Sequence, residues 1–190
     1  MNLIIFGPPG AGKGTQADFI VKKLDLYQVS TGEILRNEIK NKTKLGIEIS
    51  SIISSGTLVS DDIVKKLVEN FISENKYKNR LIFDGYPRNI VQAKTLNELL
   101  KKYGQKIDLV FKLSVSLETI KKRISERLAL EKRTDDSEVI AIKRYKTYEK
   151  STEPVIDYYK KLNLLKVIDG ERSIDQINKE ISDIISLIEG

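Results

Sequence analysis

"GPPGAGKGT", residues 7–15, follows directly on the apolar run Leu3-Ile4-Ile5-Phe6. A short buried strand, a glycine-rich turn and a helix start form the setting in which backbone N–H groups turn inward and hold an anion. The helix N-terminus adds a favourable field for negative charge. Lys13 stands where its ammonium reaches the outer phosphates of a nucleotide. Gly14 occupies the position where a magnesium-ligating Ser or Thr commonly follows the lysine, and Thr15 comes one residue later. Such a loop serves a switch, a motor or a kinase. A kinase must also carry a second site, for the acceptor of the phosphoryl group.

Further short apolar runs lie at 27–29, 81–83, 109–113 and 165–168. Helical patterns are expected at 13–24, 31–41, 61–74, 89–102, 116–130, 137–161 and 173–188. Short buried strands alternating with helices predict an α/β fold with a parallel sheet and right-handed crossovers. Residues 30–59 read as a helical insert that returns to the main fold through "SSGTLVSDD", whose Gly56 breaks the helix before it. "STGE" at 30–33 has the form of a capping box, with Ser30 as N-cap and Glu33 reaching back.

The 190 residues suit one domain with small insertions. No cysteine and no histidine are present, which excludes disulfides, thiolate metal cages and imidazole catalysis. A cytoplasmic protein is the expectation. The net charge of +6 is spread over lysines interleaved with acids, and no basic block with aromatics points to nucleic acid or to a membrane. Only eight of the 33 basic residues are arginine. A chain that uses lysine for solubility is expected to keep arginine where a planar fork matters.

"RLIFDGYPR" at 80–88 ends a strand on Asp84, a position suited to the water shell of a magnesium ion, or alternatively to capping the next helix. Arg123 and Arg127, four apart, share one helix face; they pair with Glu126 and Glu131, or together bridge a polyphosphate. Arg133 and Arg144 flank Asp135 and Asp136.

The successive stretches "GPPGAGKGTQ", "STGEILR", "GTLVSDD", "DGYPRNIVQA", "RISERL", "RTDD" with Arg144 downstream, and "VIDGER" resemble the nucleoside monophosphate kinases, and their adenylate kinase branch in particular. They occur in that family's order and cover the chain from end to end. The Gly-Thr after the lysine is also the family's form of the loop.

The resemblance implies a three-layer P-loop fold on a five-stranded parallel sheet. Its core is 1–29, 60–126 and 138–190, with a monophosphate-binding insert at 30–59 and a short lid at 127–137. It implies transfer of a phosphoryl group from Mg-ATP to AMP, giving two ADP, by a cytoplasmic monomer. Gly10, Ala11, Gly12, Lys13, Gly14 and Thr15 would cradle ATP, with Arg123, Arg127 and the Arg172 backbone. Thr31, Arg36, Thr57, Leu58, Val59, Gly85, Tyr86, Pro87, Arg88 and Gln92 would bind AMP, and Arg133 and Arg144 would clamp the transferring group and AMP. Lys13, Arg88, Arg123, Arg127, Arg133 and Arg144 form the implied catalytic set, and Asp84 would hold Mg²⁺ through water.

Thr31 and Gln92 match the adenine-binding branch, whereas Asn89 resembles the UMP/CMP kinases. Those kinases and a GTP:AMP phosphotransferase are the alternatives within the family; a P-loop nucleotide switch is the alternative outside it. Arg80 falls outside every motif, so exchange for lysine there is expected to be silent.

Overall fold

The computed structural model of the chain describes residues 1–131 and 137–189. Strands β1 (Leu3–Phe6), β2 (Tyr27–Ser30), β3 (Leu81–Asp84), β4 (Leu109–Ser114) and β5 (Leu165–Asp169) form one sheet in the order β2-β3-β1-β4-β5, and every pairing is parallel. The expected α/β fold and five-stranded parallel sheet are present.

The apolar runs lack a polar alternation because both sheet faces are covered. Ile4, Phe6, Val29, Leu81, Phe83 and Val110 point to one face. There they meet α4 (Asp61–Ser73), α5 (Ile90–Lys102) and α8 (Glu153–Lys161). Leu3, Ile5, Ile82, Phe111 and Leu113 point to the other, against α1 (Lys13–Leu24) and α9 (Ile174–Glu189). Leu3, Ile4 and Ile5 are wholly buried, each burial contributing roughly 1.5–3 kcal/mol before conformational entropy is counted. The remaining helices are α2 (Thr31–Lys40), α3 (Lys44–Ser54), α6 (Leu117–Glu131) and α7 (Glu138–Ser151).

Three local expectations are corrected. The pattern over 137–161 is two helices, α7 and α8, broken at Thr152. Pro154, in the first turn of α8, has no N–H for a continuing helix and its ring would strike the preceding turn. Second, the helix that Gly56 was expected to break is a separate helix, α3, whose bounds the apolar pattern did not give. Thr43 caps it by accepting from the Gly46 N–H at 3.0 Å. Third, Ser30 is the N-cap of α2 but makes no side-chain capping bond. Its neighbour Thr31 donates instead to the Gly85 carbonyl at 3.0 Å, tying α2 to the end of β3.

The strands' amino ends are closed by a buried polar network. Asn2 accepts from the Leu81 N–H at 3.1 Å and donates to Gln105 at 3.2 Å and to the Lys106 carbonyl at 3.0 Å. Gln105 in turn donates to the Ile72 carbonyl at 3.0 Å. Arg80, expected to be dispensable, is an anchor beside this end. Its Nε and Nη2 donate to the Asp25 carbonyl at 3.0 and 2.7 Å, Nη2 also meets the Asp25 carboxylate, and the guanidinium lies 5.0 Å from the Tyr27 ring centre. An ammonium cannot reproduce that fork.

Candidate active site

β1 lies between β3 and β4, so the chain crosses to opposite sides of the sheet on leaving β1 and β3, and a crevice opens at the strands' carboxyl ends. The glycine-rich loop fills it. Gly12 serves as N-cap of α1 at φ 91°, in the left-handed region where a side chain is strained, although a Cβ there would meet nothing within 4 Å. Gly12 is therefore glycine for its backbone and not for space. Gly14 and Thr15 lie in the exposed first turn of α1, while Ala11 is buried.

Lys13 folds back over its own loop, its Nζ donating to the Pro8 carbonyl at 3.0 Å. Burial pulls its pKa down to about 8; Asp84 opposes the shift, and the positive charges of Arg88, Arg144 and Arg127 add to it. Four cations from α1, the β3–α5 turn, α6 and α7 thus act on one place, with one carboxylate against them. Such a field suits a polyanion. Asp84, at the end of β3 and in register with Ile5 and Ser30, accepts from Gln28 Nε2 at 3.2 Å. Gln28 is two residues before Ser30 on β2, hence on the same strand face.

A cleft beside the loop is lined by Lys13, Thr31, Arg36, Arg88, Gln92 and Arg144, and by Gly10's neighbour Pro9. Thr57, Leu58 and Val59, at the return of the insert, form its wall with Gly85 and Pro87. Arg88 is held at three points. Its N–H donates to Gln92 Oε1 at 2.7 Å, its Nε to the Gly85 carbonyl at 2.7 Å, and its carbonyl accepts from Thr152 Oγ1 at 3.0 Å. Tyr86 does not line the cleft; it is 1 % exposed, its hydroxyl donates to the Gln92 carbonyl at 3.3 Å, and burial raises its pKa.

Arg123, Arg127 and Arg172 are not among the residues lining that cleft. Arg123 donates to the Ala11 carbonyl at 3.4 Å and the Gly170 carbonyl at 2.9 Å, and so spans the phosphate loop and the turn after β5. Arg127 lies one turn on along α6 and reaches Lys13 through its charge. The Arg172 side chain turns away to Asp169 and Glu180, which leaves its backbone for any ligand contact. Arg133 lies outside the described residues.

Four residues of this region were not singled out as site residues, although Asp61 lies in the quoted stretch "GTLVSDD". Gln28, Asp61, Lys143 and Thr152 act through partners distant along the chain. Lys143 Nζ donates to the Ser55 carbonyl at 2.6 Å and to Thr57 Oγ1 at 3.3 Å, fastening α7 to the wall of the cleft. The one usable signal was "TEP" at 152–154, a capping residue followed by a first-turn proline, which marks Thr152 as a helix start.

A phosphate-binding loop and a cleft beside it, sharing one cationic point, fit a transferase with a donor and an acceptor. The Adenylate kinase family model matches residues 5–164. The chain belongs to the adenylate kinase family. A relative named adenylate kinase from Pelagibacter ubique is 44 % identical over 213 aligned positions, covering 98 % of this chain and all of the relative. One from Fusobacterium nucleatum is 41 % identical, covering 97 % of this chain and 98 % of its own. One from Caulobacter is 38 % identical over 188 positions, covering 99 % of this chain and all of its own. Members of this family are phosphotransferases, and this chain has the fold and the full-length similarity of one. Among the described residues no helix is long and apolar enough to cross a membrane.

Proposed function

We propose that the chain transfers the terminal phosphoryl group of Mg-ATP to AMP, reversibly, giving two ADP. The observation that carries this reading is the cleft itself, in which Lys13, Arg88 and Arg144 share one wall system with Thr31 and the buried amide of Gln92. A water-hydrolysing switch has no use for a second, base-reading pocket beside its phosphate loop.

In this reading Gly10 to Thr15 hold the donor phosphates, together with Arg123 and Arg127. Asp84 orients the water shell of the magnesium that arrives with ATP. Thr31, Arg36, the Thr57-Leu58-Val59 backbone, Gly85, Pro87, Arg88 and Gln92 hold AMP, with Tyr86 packed beneath them. An AMP phosphate oxygen attacks the terminal phosphorus in line, the bond to the bridging oxygen breaks, and ADP leaves with that electron pair. Lys13, Arg88 and Arg144, with Arg133 in the lid, hold the charge that spreads over the transferring group, so no general base is required. Closing of the insert and lid excludes water, which would otherwise compete for the phosphoryl group.

The division into a core, an insert at 30–59 and a short lid at 127–137 belongs to the same reading. The alignment with the Pelagibacter relative runs to 213 positions against 190 residues here, so that relative carries residues this chain lacks. The absence of any cysteine fits a lid without bound zinc. A monomeric cytoplasmic enzyme completes the proposal.

The test is one coupled assay, with ATP or GTP as donor against AMP, UMP, CMP and GMP. Fast turnover with ATP and AMP alone is expected. A preference for UMP or CMP, or slow ATP hydrolysis indifferent to any monophosphate, would overturn the proposal.

A further inference from the structure

Gln92 is 3 % exposed and lies in the wall of the cleft, and both ends of its amide are already committed. Its Oε1 accepts from the Arg88 N–H at 2.7 Å, and its Nε2 donates to Asp61 Oδ1 at 2.7 Å. A backbone N–H can only donate and a carboxylate can only accept, so the two partners assign the oxygen and the nitrogen without ambiguity. Asp61 is itself fixed. The Asn89 side-chain amide donates to its Oδ1 at 3.0 Å and its Oδ2 at 3.3 Å. Asn89 Oδ1 meanwhile caps α5 by accepting from the Gln92 N–H at 2.8 Å. The starts of α4 and α5 are thus sewn together around one carboxylate.

We infer that Asp61 is a specificity-determining positioning residue, which locks the Gln92 amide in the orientation that reads an adenine edge and rejects a hypoxanthine or guanine edge. The inference rests on the acceptor reading given above. After its bonds to Arg88 and Asp61, Gln92 retains one amide N–H and one carbonyl lone pair. The adenine edge offers an exocyclic amine beside a bare ring nitrogen, a donor next to an acceptor. The hypoxanthine edge offers a carbonyl beside a ring N–H, the reverse order. In one fixed base pose, a locked amide matches the first and sets like against like with the second. An amide free to turn over matches either, and nothing but the Arg88 N–H would then oppose the turn. Asn89, the residue that resembles the pyrimidine branch, here serves the purine reading by holding the lock in place.

The experiment compares wild type, Asp61→Ala, Asp61→Asn and, as control for loss of a first-turn acid on α4, Asp62→Ala. For each, kcat/KM is measured with AMP and with inosine monophosphate at saturating Mg-ATP, beside a melting curve. Asp61→Ala is expected to lower the AMP-to-inosine-monophosphate ratio about tenfold, the scale of one hydrogen bond to a charged partner, with the KM for ATP unchanged. Asp61→Asn can place its amide oxygen at the Oδ1 position and go on accepting from Gln92 Nε2, so it is expected to hold the ratio near wild type. If Asp61→Ala does not fold, Asp61→Leu, close in shape and without an acceptor, is read in its place. Asp62→Ala should leave the ratio as it is. A folded Asp61→Ala or Asp61→Leu whose ratio stays within about twofold of wild type overturns the lock while leaving the acceptor reading standing. A wild type that prefers another monophosphate to AMP overturns both.

Discussion

Nucleotide binding should take up a proton near pH 8. The perturbation is pH itself, raised from 7 to 9. Lys13 has its pKa pulled down to about 8 by burial, and by the guanidinium groups of Arg88, Arg144 and Arg127 beyond that. Bound phosphates surround the ammonium with negative charge and restore a pKa near or above the ordinary value of about 10.4 for lysine. In the free protein the charged fraction then falls from about nine-tenths at pH 7 to about one-tenth at pH 9, while in the complex it stays close to one. Affinity should therefore weaken by up to about tenfold over that span, or about 1.4 kcal/mol, with uptake of about half a proton at pH 8. Lys13 keeps intermediate solvent exposure, and water entering from the cleft screens part of the effect, so tenfold is its upper end. The sign for stability is opposite. A lysine with a depressed folded pKa costs stability below about pH 8, and that cost is relieved as pH rises toward the unfolded value, so the free protein gains stability over that window. The assay is titration calorimetry with a non-hydrolysable ATP analogue in buffers of different ionisation enthalpy, for wild type and Lys13→Met. With no histidine and no cysteine in the chain, few other groups titrate there, and the α-amino group is common to both proteins. A binding constant flat from pH 7 to 9, or equal proton uptake in Lys13→Met, would refute the reasoning.

Arg144→Lys is expected to lower kcat by at least ~100-fold, because an ammonium cannot bridge two oxygens of the transferring group at fixed angles. Arg80→Lys should leave kcat unchanged but lower Tm by a few degrees, about 1 kcal/mol, since it loses the fork on Asp25; steady-state rates and melting curves separate the two kinds of loss. Thr152→Val removes the hydroxyl that donates to the Arg88 carbonyl, and the KM for AMP should rise several-fold, by about 1 kcal/mol, with little change for ATP. Equal effects on both substrates would detach Thr152 from the acceptor site. Gly46→Ala places a methyl 2.0 Å from the Glu38 carbonyl oxygen, where α2 and α3 cross. It should destabilise the insert by ~1–3 kcal/mol, visible as faster hydrogen exchange over 31–54 than over the sheet.

The strands and the phosphate loop were legible because their signals are local. An unbroken apolar run buried on both faces, and a glycine at φ 91° before a helix, are each written within a few residues. The arginines were legible through their scarcity among lysines together with the family resemblance. The break at Thr152 was also local, in Pro154, but a continuous apolar pattern over 137–161 concealed it. Ser30 illustrates a different failure. A capping box is only one way for a helix start to satisfy its donors, and at this start the side-chain tie came from Thr31, which reaches 54 residues along the chain to Gly85. Asp61, Lys143 and Thr152 were illegible for the same reason: each meets partners between 28 and 88 residues away, which only the folded topology brings near. A carboxylate in a first helical turn looks like capping whether or not an amide waits across a helix pair.

The buried network of Asn2 and Gln105 sits at the end of the sheet opposite the cleft, and it ties β3, α4 and the approach to β4 through polar bonds whose residues lie outside the cleft's lining. The chain thereby anchors its fold at one pole and exposes its chemistry at the other. Substitutions around the cleft leave that anchor whole, so the cleft is free to drift toward a new base or a different lid without passing through an unfolded intermediate sequence. An ancestor built on this plan would be a tolerant starting point for enzymes that hand phosphate to other acceptors.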